Sequence, residues 1–267
     1  MLIRKNALYP LSFALAALML IQAALGLLLP HLYRDVAWIK ATWFGNDLVT
    51  LFLALPLFIL SILLANRGSI RGQLLWLGML GYAFYNYAYY LFGAALNAFF
   101  PIYVASLALS GILLVISIPR IDLAVLTASF RERTPVRMIG GFLTFVGIGL
   151  ASVWLIMWAA YIFAAKPTPI EPEAFKVVAA IDISFIVTML GSGGLLLWQR
   201  NAWGYVIAPI ASVLSALYLI VLSVNSFLAI QRGAAAAPGE LPVWGTLAFL
   251  TALCTYLLLS NVQKERA

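Results

Sequence analysis

The sequence predicts an all-α, polytopic membrane bundle of about eight transmembrane helices. Two observations carry this. Hydrophobic residues make up 64% of the 267 positions and charged residues only 9%; a soluble domain has roughly 45–50% and ~25%. The apolar residues are also gathered into runs long enough to cross a bilayer, about 20 residues each. Eight such runs use about 160 positions, which leaves short connections and no room for a soluble catalytic domain.

The runs fall at 9–29, 47–65, 74–97, 101–118, 138–164, 176–197, 205–230 and 242–260. Helix is the open-ended structure that satisfies its own backbone in lipid. Arg4 and Lys5 precede the first run as they precede a signal peptide, but no small-x-small cleavage site lies before His31, so the run is expected to be retained as a span. Asn46 and Asp47, after Gly45, read as the start of the second run, where a carboxylate caps free N–H groups. Pro56 should kink that run. Only residues 98–100 separate the third and fourth runs, a tight hairpin, and Pro101 suits the first turn of the fourth. The connection 119–137 is either a basic loop or a short amphipathic helix carrying Leu123, Leu126 and Phe130. Gly140, Gly141, Gly147 and Gly149 in the fifth run read as close helix contacts. Gly191, Ser192, Gly193 and Gly194 in the sixth lack the Lys-Ser or Lys-Thr of a phosphate loop, which leaves packing or a local break.

Orientation follows from lysine and arginine. The N-terminus, 66–73, 119–137, 198–204 and the C-terminus hold 11 of them; the other connections hold 5, namely Arg34, Lys40, Lys166, Lys176 and Arg232. The richer side is expected to be cytoplasmic, with both termini there, in a plasma (inner) membrane. The net charge of +7 is dispersed among these clusters, so no nucleic-acid partner is expected; the bilayer is the expected partner, and oligomeric state is open. Cys254 is the only cysteine and His31 the only histidine. That argues against a disulfide, a thiol relay, a bis-histidine haem and a histidine metal cluster. No lysine lies mid-span, against a retinal Schiff base. No cofactor or metal is expected.

The chain reads as one membrane domain, 1–267, with an internal parallel repeat of 1–118 and 138–267 joined by 119–137. Tyr90 and Asn97 in the third run are spaced like Tyr218 and Asn225 in the seventh. Lys40 and Asp47 precede Arg67, as Lys176 and Asp182 precede Arg200. The alternative is eight unrelated helices.

Polar residues at membrane depth are costly and point to function by default. Asp182, within the sixth run, is either a buried acid able to carry a proton or an interfacial cap. Asp47 reads more readily as a cap. Tyr82, Asn86, Tyr90 and Asn97 recur every three or four residues on one helix face, and Tyr85 and Tyr87 lie too deep for an interfacial belt. Ser215, Tyr218 and Asn225 share a face of the seventh run. These residues line either a polar pathway or interhelical contacts. The expected site is a cavity in the outer half bordered by Asp182, Asn86 and Tyr90. Three functions fit: a small-solute or proton-linked transporter, a noncatalytic membrane subunit or sensor, and a membrane enzyme acting on a lipid or isoprenoid. The last is weakened by the lack of a DDxxD run, a histidine box or a Ser–His pair.

Overall fold

The computed structural model describes residues 8–231 and 239–263. Arg4, Lys5, Arg232, Lys264 and Arg266 of the orientation count lie outside the described residues. Within them the chain forms nine helices and no sheet: α1 Leu8–Leu28, α2 Ala37–Asn66, α3 Ile70–Gly93, α4 Phe100–Ser117, α5 Leu123–Ser129, α6 Val136–Ala164, α7 Pro172–Trp198, α8 Gly204–Gln231 and α9 Glu240–Ser260. All of these except α3 and α5 are long and apolar enough to cross a membrane, seven in all, and suggest a multi-pass membrane protein.

Helix α3 is long enough but too polar for that set. Its tyrosines, Asn86 and Gln73 lower its hydropathy, and it can carry them because it is enclosed: 17 of its 24 residues are buried. Its partner at the centre is α8, 78% buried along its apolar stretch against 22–44% for the other six apolar spans. The two cross closely at Gly78, where a Cβ would meet Val213, and at Gly81, where it would meet Ile210. Outside this pair the packing is paired too. Helix α3 touches α2, α4 and the first part of α7, while α8 touches α7, α9 and the first part of α2.

Several boundaries differ from the apolar runs. Helix α2 begins ten residues before Asp47, at Ala37 after Val36, because Trp38, Ile39, Trp43 and Phe44 extend the apolar pattern past Lys40. Asp47 is therefore not a helix start, and Asp182 is not an interfacial cap. Both are completely buried inside continuous helices. Helix α3 stops at Gly93, so Asn97 lies in the turn to α4 and not on the face of Asn86. The glycines at 191, 193 and 194 do not break α7. A Cβ on Gly194 would meet Thr144 and the Gly140 carbonyl, so α6 and α7 interlock there.

The connection 119–137 contains a short helix, α5. Asp122 caps it, accepting from Ala124 and Val125 N–H at 3.0 Å each. Leu126 is buried, and the segment after it pairs with residues 261–263. Arg131 N–H donates to the Asn261 carbonyl, and Gln263 N–H to that of Ser129. Arg71, at the start of α3, donates through Nε to the Val262 carbonyl at 2.9 Å and through Nη2 to that of Ser260 at 3.2 Å. The start of α3, the loop after α5 and the end of α9 therefore share one end of the bundle.

Candidate functional site

Helices α2 and α7 each contain a π-helical turn: Thr50–Ala54 in α2 and Asp182–Val187 in α7. In α2 the cause is visible. Leu55 N–H reaches back five residues to the Thr50 carbonyl, and Pro56, which has no N–H to donate, follows at once. The irregularity expected at Pro56 takes the form of this widened turn. In α7 the widened turn begins at the acid itself. Asp47 lies one turn before the π segment of α2.

Each acid is held by three neutral donors from other segments. Asp47 accepts from Gln22 Nε2 at 2.9 Å, from the Tyr33 hydroxyl at 2.6 Å and from the Tyr90 hydroxyl at 2.6 Å. Gln22 also donates to the Tyr33 hydroxyl at 2.9 Å. Tyr33 sits in the connection between α1 and α2; burial there, with Asp47 beside it, holds its phenol above the ordinary tyrosine range, so it remains a donor. Asp182 accepts from Tyr85 at 2.7 Å, Tyr218 at 2.7 Å and Trp154 Nε1 at 3.1 Å. Neither acid has a lysine or arginine among these partners. Lys176 pairs instead with exposed Glu173. An acid at a membrane helix centre costs about 2.5–3.5 kcal/mol on insertion scales. Hydrogen bonds to a charged group are worth ~1.5–3 kcal/mol each, so three of them offset that cost without a counter-ion.

Space has been cleared for the first network. A Cβ on Gly26 would run into Asp47 Oδ2 and the Tyr33 hydroxyl. Gly45 does the same for Asn225, whose Oδ1 occupies the place a Cβ would take.

Between the two acid networks lies a cavity of about 70 Å³, walled by α2, α3, α7 and α8. Asn46, Tyr82, Asn86, Tyr218 and Asn225 line it. Asn46 Nδ2 donates to Asn86 Oδ1 at 2.8 Å, and the Tyr82 and Thr50 hydroxyls bond at 3.2 Å. Asn86 Nδ2 and Asn225 Oδ1 are buried and have no protein partner.

The structure thus brings together Tyr82, Asn86, Tyr218 and Asn225. Tyr90 is not among the residues that line the cavity and bonds Asp47 instead. Asp182 stands behind Tyr85 and Tyr218 and does not border the cavity, so the expectation of one cavity shared by Asp182, Asn86 and Tyr90 is corrected. The reason is helical geometry: Asn86 and Tyr90 are one turn apart, but Asn86 inclines toward Asn46 and Tyr90 toward Asp47 on the same neighbouring helix. Asn97 accepts from Phe99 N–H at 2.8 Å and serves the turn. Sequence reasoning passed over Gln22, Tyr33, Trp154 and Gly26. Gln22 carried a readable signal, a single amide within an otherwise apolar span.

The comparisons find no family model that matches the chain and no curated protein or solved structure similar to it.

Proposed function

We propose that the protein is an eight-span, proton-linked carrier of a small polar solute, with α3 as the eighth span and α5 outside the membrane. In this reading it lies in a plasma (inner) membrane with both termini cytoplasmic. The single end shared by the start of α3, the loop after α5 and the end of α9 supports that parity, and the arginines at that end support its assignment to the cytoplasm.

The same reading divides the spans into two halves of four, 1–118 and 138–267, around a pseudo-twofold axis along the membrane normal. Matching geometry supports it. Gln22 of α1 and Trp154 of α6 each donate to the acid of the next helix. Helices α2 and α7 end alike: Ser69 N–H reaches the Leu64 carbonyl and Asn201 N–H that of Leu196, with Gly68 and Arg200 at positive φ. Gly72 then packs on Leu64 as Gly204 packs on Leu196. The members of every pair are the same number of residues apart, and at that separation Thr50 opposes Asp182, the first residue of each π turn. Asn86 then opposes Tyr218. This register is one turn away from the Tyr90–Tyr218 pairing expected from the sequence. The cavity lies between the halves and takes corresponding residues from both, Asn46 with Val178 and Asn86 with Tyr218. Repeat interfaces are where carriers place their solutes.

The observation that carries the proposal is the pair of buried acids, each held by three donors from separate segments. An ionised carboxylate only accepts, and hydrogen bonds to it are roughly twice as strong as those to a neutral acid; once protonated it must also place an O–H. Proton uptake on Asp182 would therefore weaken the hold of Tyr85, Tyr218 and Trp154 together and loosen α3, α6 and α8 about α7, a two-state element that a proton biases. The test uses protein in vesicles enclosing a pH-sensitive dye. Solute addition should move protons through the native protein and not through Asp182→Asn. Equal proton movement in both overturns the mechanism. One observation favours a noncatalytic subunit instead: both acids have three hydrogen bonds and need nothing further. That reading gains if no solute moves protons.

A further inference from the structure

We infer that the cavity between the halves is reached from one end of the bundle, through a vestibule between α2, α3 and α7, and that Tyr89 is the residue that closes this path. The inference rests on the carrier reading for its purpose, and on geometry alone for the path. The vestibule has a volume of about 220 Å³. It lies among the start of α2, the end of α3 and the start of α7, at the end of the bundle opposite the one where Arg71 binds the Val262 carbonyl. In the carrier reading that is the outer end.

Two stripes of residues lead from the vestibule into the cavity. Trp38, Thr42 and Asn46 follow one another four residues apart on α2, and Ile170, Ala174 and Val178 do so along the entry into α7. The stripes match in the register of the two π turns: Trp38 opposes Ile170, Thr42 opposes Ala174 and Asn46 opposes Val178. Four residues further on they reach Thr50 and Asp182, where the π turns begin. The path therefore follows the interface between the halves.

Three residues line both spaces and form the neck between them: Thr42, Tyr89 and Val178, one from each helix. Thr42 and Val178 are short and β-branched, with little freedom at χ1 in a helix, and the Thr42 hydroxyl donates to the Ile39 carbonyl at 2.6 Å. Tyr89 is free to move. Tyr82, Tyr85, Tyr87 and Tyr90 of the same helix each bond a neighbour through the hydroxyl. The Tyr89 hydroxyl bonds no described residue and, unlike the Asn86 and Asn225 amide atoms, is not sealed from the surface. Its half-buried ring rests against Trp43 edge to face, centroids 5.0 Å apart. A change of rotamer opens the neck without moving a helix. Tyr85, which bonds Asp182, lies one turn before Tyr89 on α3, so the gate adjoins the joint that a proton loosens.

Cysteine labelling of the purified full-length protein in detergent reads the path without requiring transport. Cys254 is the only native cysteine, so Cys254→Ser supplies a background free of thiols. Ala174→Cys reports on the vestibule and Val221→Cys on the cavity, each labelled with iodoacetamide. A neck that opens only as a minor state makes Val221→Cys react about tenfold or more slowly than Ala174→Cys. Tyr89→Ala should raise the Val221→Cys rate by about tenfold or more and leave Ala174→Cys unchanged; Tyr89→Phe, which keeps the ring, should change neither. If Tyr89→Ala does not fold, Val178→Ala widens the same neck from α7 and should act in the same direction. Equal rates at the two reporters with Tyr89 in place, or a Val221→Cys rate that neither Tyr89→Ala nor Val178→Ala raises in folded protein, overturns the gate, whatever the protein transports. Labelling that depends on Tyr89, with no solute flux in vesicles, keeps the path and overturns the carrier reading.

Discussion

Tyr85 on α3 and Tyr218 on α8 close on one carboxylate: each donates to a different oxygen of Asp182 at 2.7 Å, and their rings meet edge to face 5.5 Å apart. The two central helices are thereby joined through a third, α7, and the joint sits at the cavity wall. The acid of α2 has no such bridge. It is held by Gln22, Tyr33 and Tyr90, all from the first half of the chain. Asp182 is thus the acid placed to report on movement between the central helices.

Removing one hydroxyl at a time measures that joint. Tyr85→Phe and Tyr218→Phe keep the rings and each delete a donor to a charged group, so each should destabilise by ~1.5–3 kcal/mol. Because both bonds end on one carboxylate, the double variant should cost less than the sum. Reversible unfolding in mixed micelles checks this; strict additivity would mean that the two bonds do not cooperate.

The acids should differ in role. Asp47→Asn and Asp182→Asn both exchange an acceptor oxygen for a donor nitrogen, which leaves one of three donors facing another donor, at a cost of about 1–3 kcal/mol. Solute-driven proton movement in vesicles is expected to vanish in Asp182→Asn. If Asp47→Asn alone abolishes it, the roles are reversed.

Gly26→Ala places a methyl against Asp47 and Tyr33, and overpacking of this kind costs typically 1–3 kcal/mol. Gly149→Ala on α6 meets nothing within 4 Å and should be neutral or slightly stabilising. Melting temperatures of the two variants should therefore move apart. A Gly26→Ala protein as stable as the native one would show that the network relaxes freely.

Arg71 binds the end of α9 and the residues just after it through the Ser260 and Val262 carbonyls. Arg71→Ala should leave the helices intact and raise hydrogen exchange at residues 261–263, with the loop at 129–131 following because it pairs with the same strand-like segment. Unchanged exchange there would mean that the Phe130–Val262 bridge suffices.

A reporter active only in the cytoplasm should be active when fused to the C-terminus and inactive when inserted between α8 and α9. The reverse pattern would invert the orientation, and activity at both places would remove α9 as a span.

That the chain is helical and carries several apolar helices of bilayer length was legible from sequence, because such runs depend only on composition along the chain. The sequence also marked α3 as unusual, since tyrosines and an asparagine inside an apolar run are visible without coordinates. It could not say which way those residues face. Asn86 and Tyr90 lie one turn apart, and only the position of α2 sends one to Asn46 and the other to Asp47. Asp47 looked like a cap because Gly45 and Asn46 precede it, yet Gly45 is there to admit Asn225 from a helix far along the chain. The register between α2 and α7 was likewise hidden. Thr50 and Asp182 share no chemistry, and what they share, the first position of a π turn, is a backbone property that residue types do not announce. Partners separated by more than a hundred residues, such as Arg71 and Val262, are chosen by how the helices stack, and stacking is decided only when every face has found its neighbour.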